Sequence, residues 1–142
     1  MYKYLDEISR IIVNALAVYD EAKESRTYMR NYDVFDQCQK TVKFIAQVSY
    51  MISNEEETTP GKAFNWASEL PIPNGLFPKL INATIELNER KVPIMSFIFG
   101  LPIAIRYLNL VKDAFLELFS NIENRDENNE FTVLLQHWRN RI

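Results

Sequence analysis

The amino-acid sequence predicts an all-α fold: a compact bundle of about five to seven helices around a kinked, largely buried central helix near 94–120. Three observations carry the prediction. Apolar residues recur every three or four positions over several long stretches, the period of a helix with one buried face. Only three glycines occur in 142 residues, too few for the tight turns of a sheet protein. Hydrophobic residues make up 47% and aromatics 13%, which suits a packed globule and opposes disorder. The length is that of one domain, so residues 1–142 are read as a single helical unit.

The elements follow in order. Leu5, Ile8, Ile12, Ala15, Leu16 and Tyr19 define a first helix, whose end lies somewhere between Glu21 and Ser25 or beyond. Phe35, Cys38, Val42, Ile45, Val48 and Ile52 define a second, from about Val34 to Ile52, with Asp33 placed to cap it. The polar run "SNEEETTPG" stops that helix, because glutamates oppose the negative end of the helix dipole. Thr59 and Pro60 start a short helix carrying Ala63, Phe64, Trp66 and Ala67, with threonine as cap and proline at the first helical position.

The stretch "LPIPNGLFPKL" has too many prolines for a continuous helix, and a new one starts near Pro78 with Leu80, Ile81, Ile85 and Leu87 inward. From Ile94 to Leu110 the chain is almost entirely apolar, and a one-sided pattern then runs through Val111, Phe115, Leu118, Phe119 and Ile122. After the polar break "ENRDENNE", Asn129 is the expected cap of a last helix with Phe131, Leu134, Leu135 and Trp138 on its apolar side.

The uncharged run Val92–Ile105 is 14 residues long, short of the roughly 20 that a membrane-spanning helix needs. Pro102 removes a backbone donor and crowds the carbonyl of Ile98, so a kink or a restart is expected after Gly100. This segment is either the buried centre of the bundle or, where Phe97, Phe99 or Leu101 stays exposed, a docking surface for a protein partner or a second copy.

Catalytic parts are missing. His137 is the only histidine and Cys38 the only cysteine, which leaves no zinc motif and no Cys/His nucleophile pair. The three glycines are too far apart for a phosphate loop. The acidic pairs Asp20–Glu24 and Asp113–Glu117 have the spacing to hold a divalent ion but read as solvated faces. No enzyme, metal or cofactor is therefore expected. The net charge of −3 provides no global field for nucleic acid, so any such binding is local. A single cysteine and an N-terminus unlike a secretory signal make the cytoplasm the expected compartment.

Two stretches interleave bases with aromatics. In "SRTYMRNYD" a continuous helix would set Arg26 and Arg30 beside Tyr28 and Tyr32, and in "QHWRNRI" Trp138 is expected to pack with Arg139 and Arg141 outside. The expected function is that of an interaction or regulatory subunit acting through helical surfaces, with a protein partner or homo-oligomer. The alternative is a nucleic-acid-associated subunit using Arg26, Tyr28, Arg30, Tyr32, Arg139 and Arg141. Opposed to both is a packed arrangement, with the tyrosines under the bundle and the arginines paired to Glu24, Asp33 or Asp36.

Overall fold

The computed structural model describes residues 4–70, 76–89 and 97–142, with side chains from Gly100 onward in the last stretch. Among these residues the chain forms six helices and no strand, as the apolar period predicts. They are α1 (Leu5–Thr27), α2 (Asn31–Asn54), α3 (Pro60–Ser68), α4 (Leu76–Glu89), α5 (Phe97–Arg125) and α6 (Thr132–Arg141). None of the described helices is long and apolar enough to cross a membrane.

Helix α1 buries Ile8, Ile12, Ala15, Leu16 and Tyr19 and continues the same stripe through Ala22 and Ser25. It turns directly into α2, and the two long helices form the most extensive pairing in the bundle. Full burial of each Ile or Leu contributes about 1.5–3 kcal/mol relative to exposure, whereas an exposed ion pair contributes about 1 kcal/mol at most. The hairpin is thus held by its apolar seam, and surface pairs such as Lys40–Asp36 add little. Helix α2 begins earlier than its apolar pattern suggests: Arg30 is the cap residue, without a side-chain bond, and Asp33 lies inside the first turn. There its carboxylate meets the positive end of the helix dipole instead of capping it.

Thr59 caps α3 as expected, its hydroxyl accepting from the Lys62 N–H at 3.3 Å with Pro60 behind it. The start of α4 is satisfied from another helix, since Glu117 Oε2 accepts the Leu76 N–H at 3.1 Å. Helix α5 runs unbroken across Pro102, which occupies its sixth position and faces solvent, so no second helix starts there. The donor proline lacks would have served Ile98, in the first turn, so only one early bond is lost. From Gly100 to Ile122 the described part of α5 buries one stripe that includes Ala104, Tyr107, Val111, Phe115 and Phe119.

Contacts between side chains and backbone groups give the directions of the helices. Tyr107 lies against Phe35 and Arg125 reaches the carbonyl of Ile52, so α5 runs parallel to α2. Thr84 meets Tyr107 and Leu76 meets Glu117, so α4 runs antiparallel to α5. Helix α6 returns along α5, with Trp138 against Phe119 and Arg141 against Asp20. One hydrophobic cluster takes side chains from all six described helices. Polar groups buried beside it find partners within it: Thr84 Oγ1 donates to Leu80 O at 2.8 Å and therefore accepts from the Tyr107 hydroxyl at 2.6 Å. Burial pushes the Tyr107 phenol well above its ordinary pKa.

Asn129, the expected cap of the last helix, instead takes a left-handed backbone with φ 56°. The cap position is Phe131, and the turn leading into it is held by Asp126, a buried residue whose Oδ1 accepts from the Glu130 N–H at 2.8 Å and whose Oδ2 accepts from the Phe131 N–H at 2.7 Å. Replacing Asp126 by Ala strips both donors of their acceptor at the edge of the core, and a loss of about 2 kcal/mol is expected. Urea unfolding should show the midpoint fall with no change in the slope.

Candidate interaction surface

Helix α1 ends in a six-residue pattern that satisfies its last carbonyls. The Met29 N–H donates to Arg26 O at 2.9 Å and the Arg30 N–H to Ser25 O at 2.9 Å, the pair of bonds that closes a helix when the next residue is left-handed. That left-handed residue is Met29, at φ 59°. Glycine takes this conformation freely, whereas a residue with a Cβ pays roughly 1–2 kcal/mol for it. Beneath the turn, Ser25 Oγ donates to Gln37 Oε1 at 2.8 Å and locks α1 to α2.

The turn points its large side chains outward. Tyr28 is 64% exposed, Met29 52% and Tyr32 48%. The packed arrangement is thereby overturned for both tyrosines. Arg26 and Arg30 make no ion pair with Glu24, Asp33 or Asp36; the Arg30 guanidinium instead sits 5.6 Å from the centre of the Tyr28 ring. Because α1 stops at Thr27 and α2 starts at Asn31, these residues cap a bundle end. The parallel stripes expected of one continuous helix are not formed.

The second basic stretch behaves differently. Arg139 donates to Glu123 at 2.6 Å and Arg141 to Asp20 at 2.8 Å, while Lys23 pairs with Asp20 at 3.2 Å. Partial burial pushes the Asp20 carboxyl up, but hydrogen bonds from Arg141 and Lys23, together with their charges, outweigh it and hold the group below the usual carboxylate value. The six basic and aromatic candidates therefore separate into an unpaired group at the turn and a neutralised pair on α6.

The apolar candidate falls elsewhere. Phe97 and Phe99 have side chains outside the described residues, and Leu101 is half-buried. Nearby, α4 and α5 border a hollow of about 430 Å³ lined by Leu87, Ile103 and Leu110 with Glu86 and Arg106 at its edge.

Sequence reasoning missed a cleft of about 400 Å³ between α1 and α5, next to the turn. Tyr19 and Leu108 form its buried floor, and Lys23, Arg26 and Lys112 line it. Burial, aided by the nearby Cys38, Asp20 and Asp113, pushes the Tyr19 phenol up to about 12. No sequence signal joins these residues, since Lys112 lies on a helix far along the chain.

Members of both acidic pairs are engaged with other partners. Asp20 is engaged with two cations and Glu117 with a backbone N–H. Among the described residues no group of three or more His, Cys, Asp or Glu side chains is positioned to hold a metal ion. Cys38 is fully buried, which pushes its thiol pKa up and leaves it unreactive.

Two outcomes are expected. Met29→Gly should stabilise the fold by about 0.5–1 kcal/mol, the strain relieved exceeding glycine's entropic cost, read as a higher thermal midpoint. Because the folded pKa of Asp20 is depressed, the stability its pairing contributes is complete above a pH of about 4 and is lost as pH falls through the folded value. Amide exchange in the last turn of α6 should accelerate in that acid range, and Asp20→Asn should give the fast rates at neutral pH. Comparison with family models, with curated proteins and with solved structures finds no match to this chain.

Proposed function

We propose that the chain is a non-enzymatic interaction or regulatory subunit that binds a protein partner through the α1–α2 turn. The observation that carries the reading is Met29. A large apolar side chain occupies a left-handed position that glycine would fill at lower cost, and it points into solvent. Strain held at an exposed residue is a mark of use, because stability alone would favour its removal. The neighbours fit: tyrosine, methionine and arginine are the residues enriched at protein interfaces and among their energetic anchors. Tyrosines here cost little entropy to immobilise, since the turn beneath them is already locked by the Ser25–Gln37 bond.

The nucleic-acid reading has less support. Arg139 and Arg141 are matched by carboxylates, and Arg30 covers a ring face on which a base would stack.

The test compares three immobilised proteins in extract of the native host: wild type, the double variant Tyr28→Ser with Tyr32→Ser, and Val133→Ser. Val133 is an equally exposed apolar residue on α6 and serves as control. Wild type and the control should retain the same protein, and the double variant should lose it by about tenfold or more with an unchanged melting temperature. Equal retention by all three proteins would sink the proposal, as would no retained protein together with strictly monomeric light scattering.

A further inference from the structure

The turn and the cleft between α1 and α5 are one continuous surface, because Arg26 belongs to both. In a chain whose net charge is −3, the cleft gathers Lys23, Arg26 and Lys112, and no Asp or Glu lines it. Asp20, just outside it, is occupied by Lys23 and Arg141, so Arg26 and Lys112 have no carboxylate partner among the described residues. With these cations the cleft holds the apolar side chains of Ile105, Leu108 and Ile142 and the polar side chains of Thr27 and Asn109.

We infer that the segment this surface receives is an acidic, amphipathic peptide stretch of a protein partner. Its carboxylates lie on Arg26 and Lys112, and its apolar side chains lie between them and against Tyr28, Met29 and Tyr32. The inference rests on the protein-binding reading above and adds the chemistry of the partner. Charge complementarity selects this occupant. A two-fold contact between copies of this chain through the cleft would set Lys23, Arg26 and Lys112 against their own images, which like-charge repulsion opposes. Some of the acids at the other end of the hairpin, which a head-to-tail contact would present, are already engaged. There Glu56 is already bonded to Tyr50 at 2.7 Å. Glu7 shares a hydrogen bond with Glu57, which, with partial burial and the like charge, raises the Glu7 carboxyl above its ordinary value.

The experiment titrates a fluorescent peptide of about twelve residues, built of alternating Glu-Glu and Leu-Leu steps, into the full chain at about 20 mM and 200 mM salt. A peptide with Gln in place of Glu and a single-stranded oligonucleotide of similar length are titrated in parallel. The acidic peptide should bind, weaken at the higher salt, and lose affinity about fivefold to tenfold in Arg26→Gln with Lys112→Gln. The Gln peptide should bind at least as weakly as the acidic peptide does to that variant. Equal binding of both peptides would overturn the inference, as would binding of the oligonucleotide alone. Salt-sensitive light scattering showing open-ended self-association would overturn it too, by making a second copy the occupant. If the host partner is lost in the Tyr28/Tyr32 variant but held equally by Arg26→Gln with Lys112→Gln, the acidic-segment inference fails while the protein-binding reading stands.

Discussion

The bundle depends on the reversal at Tyr28–Arg30, where two long helices must fold back on each other without a glycine. Their apolar stripes cover one another only if the chain leaves α1 in a left-handed step, and Met29 takes that step at φ 59°. The cost is offset by the seam it creates, since Ile8, Ile12 and Leu16 on α1 and Val34, Cys38 and Val42 on α2 are completely buried. Helix α5 then packs on this pair, parallel to one helix and antiparallel to the other. It brings an aromatic series with it: Tyr19 stands edge-on to Phe115 at 5.5 Å, Phe115 lies 5.7 Å from Phe119, and Phe119 lies 5.9 Å from Trp138. The last helix is thus joined to the first through the core as well as through Arg141 and Asp20.

Polar groups near the core are handled by specific partners more than by general exposure. Asp126 gathers two N–H groups, Glu117 takes the first donor of α4, and the Tyr107 hydroxyl ends on Thr84. Each of these would be expensive to leave unmatched. The contrast with the α1–α2 turn is what makes that region distinctive. There two cations, two tyrosines and a methionine face water, although acids are more numerous than bases in the chain.

Much of the fold was legible in the sequence, because a helix face is a local property. The 3.6-residue period locates the buried stripes, Thr59–Pro60 marks a start by its own chemistry, and the length of Val92–Ile105 limits what that run can span. Helix ends were less legible. Glycine is the usual stop signal, yet α1 and α2 end at Met29 and Glu55, both left-handed, and the cap position of α6 is Phe131, without a side-chain bond, instead of the expected Asn129. Of the kink or restart anticipated at Pro102, the restart does not occur, since a proline in the early turns removes a single bond and α5 runs on through it.

The sequence by itself determined the helical class, the positions of the buried faces and the clustering of Arg26, Tyr28, Arg30 and Tyr32 in one short stretch. Only the tertiary structure decided what those residues do with their surroundings. It split the basic candidates by pairing Arg141 with an aspartate 121 positions away and leaving Arg26 free, and it set Lys112 beside Lys23 across two helices. The physical reason is that periodicity is set by neighbours along the chain, whereas charge pairing, exposure and cleft formation are set by which helices meet.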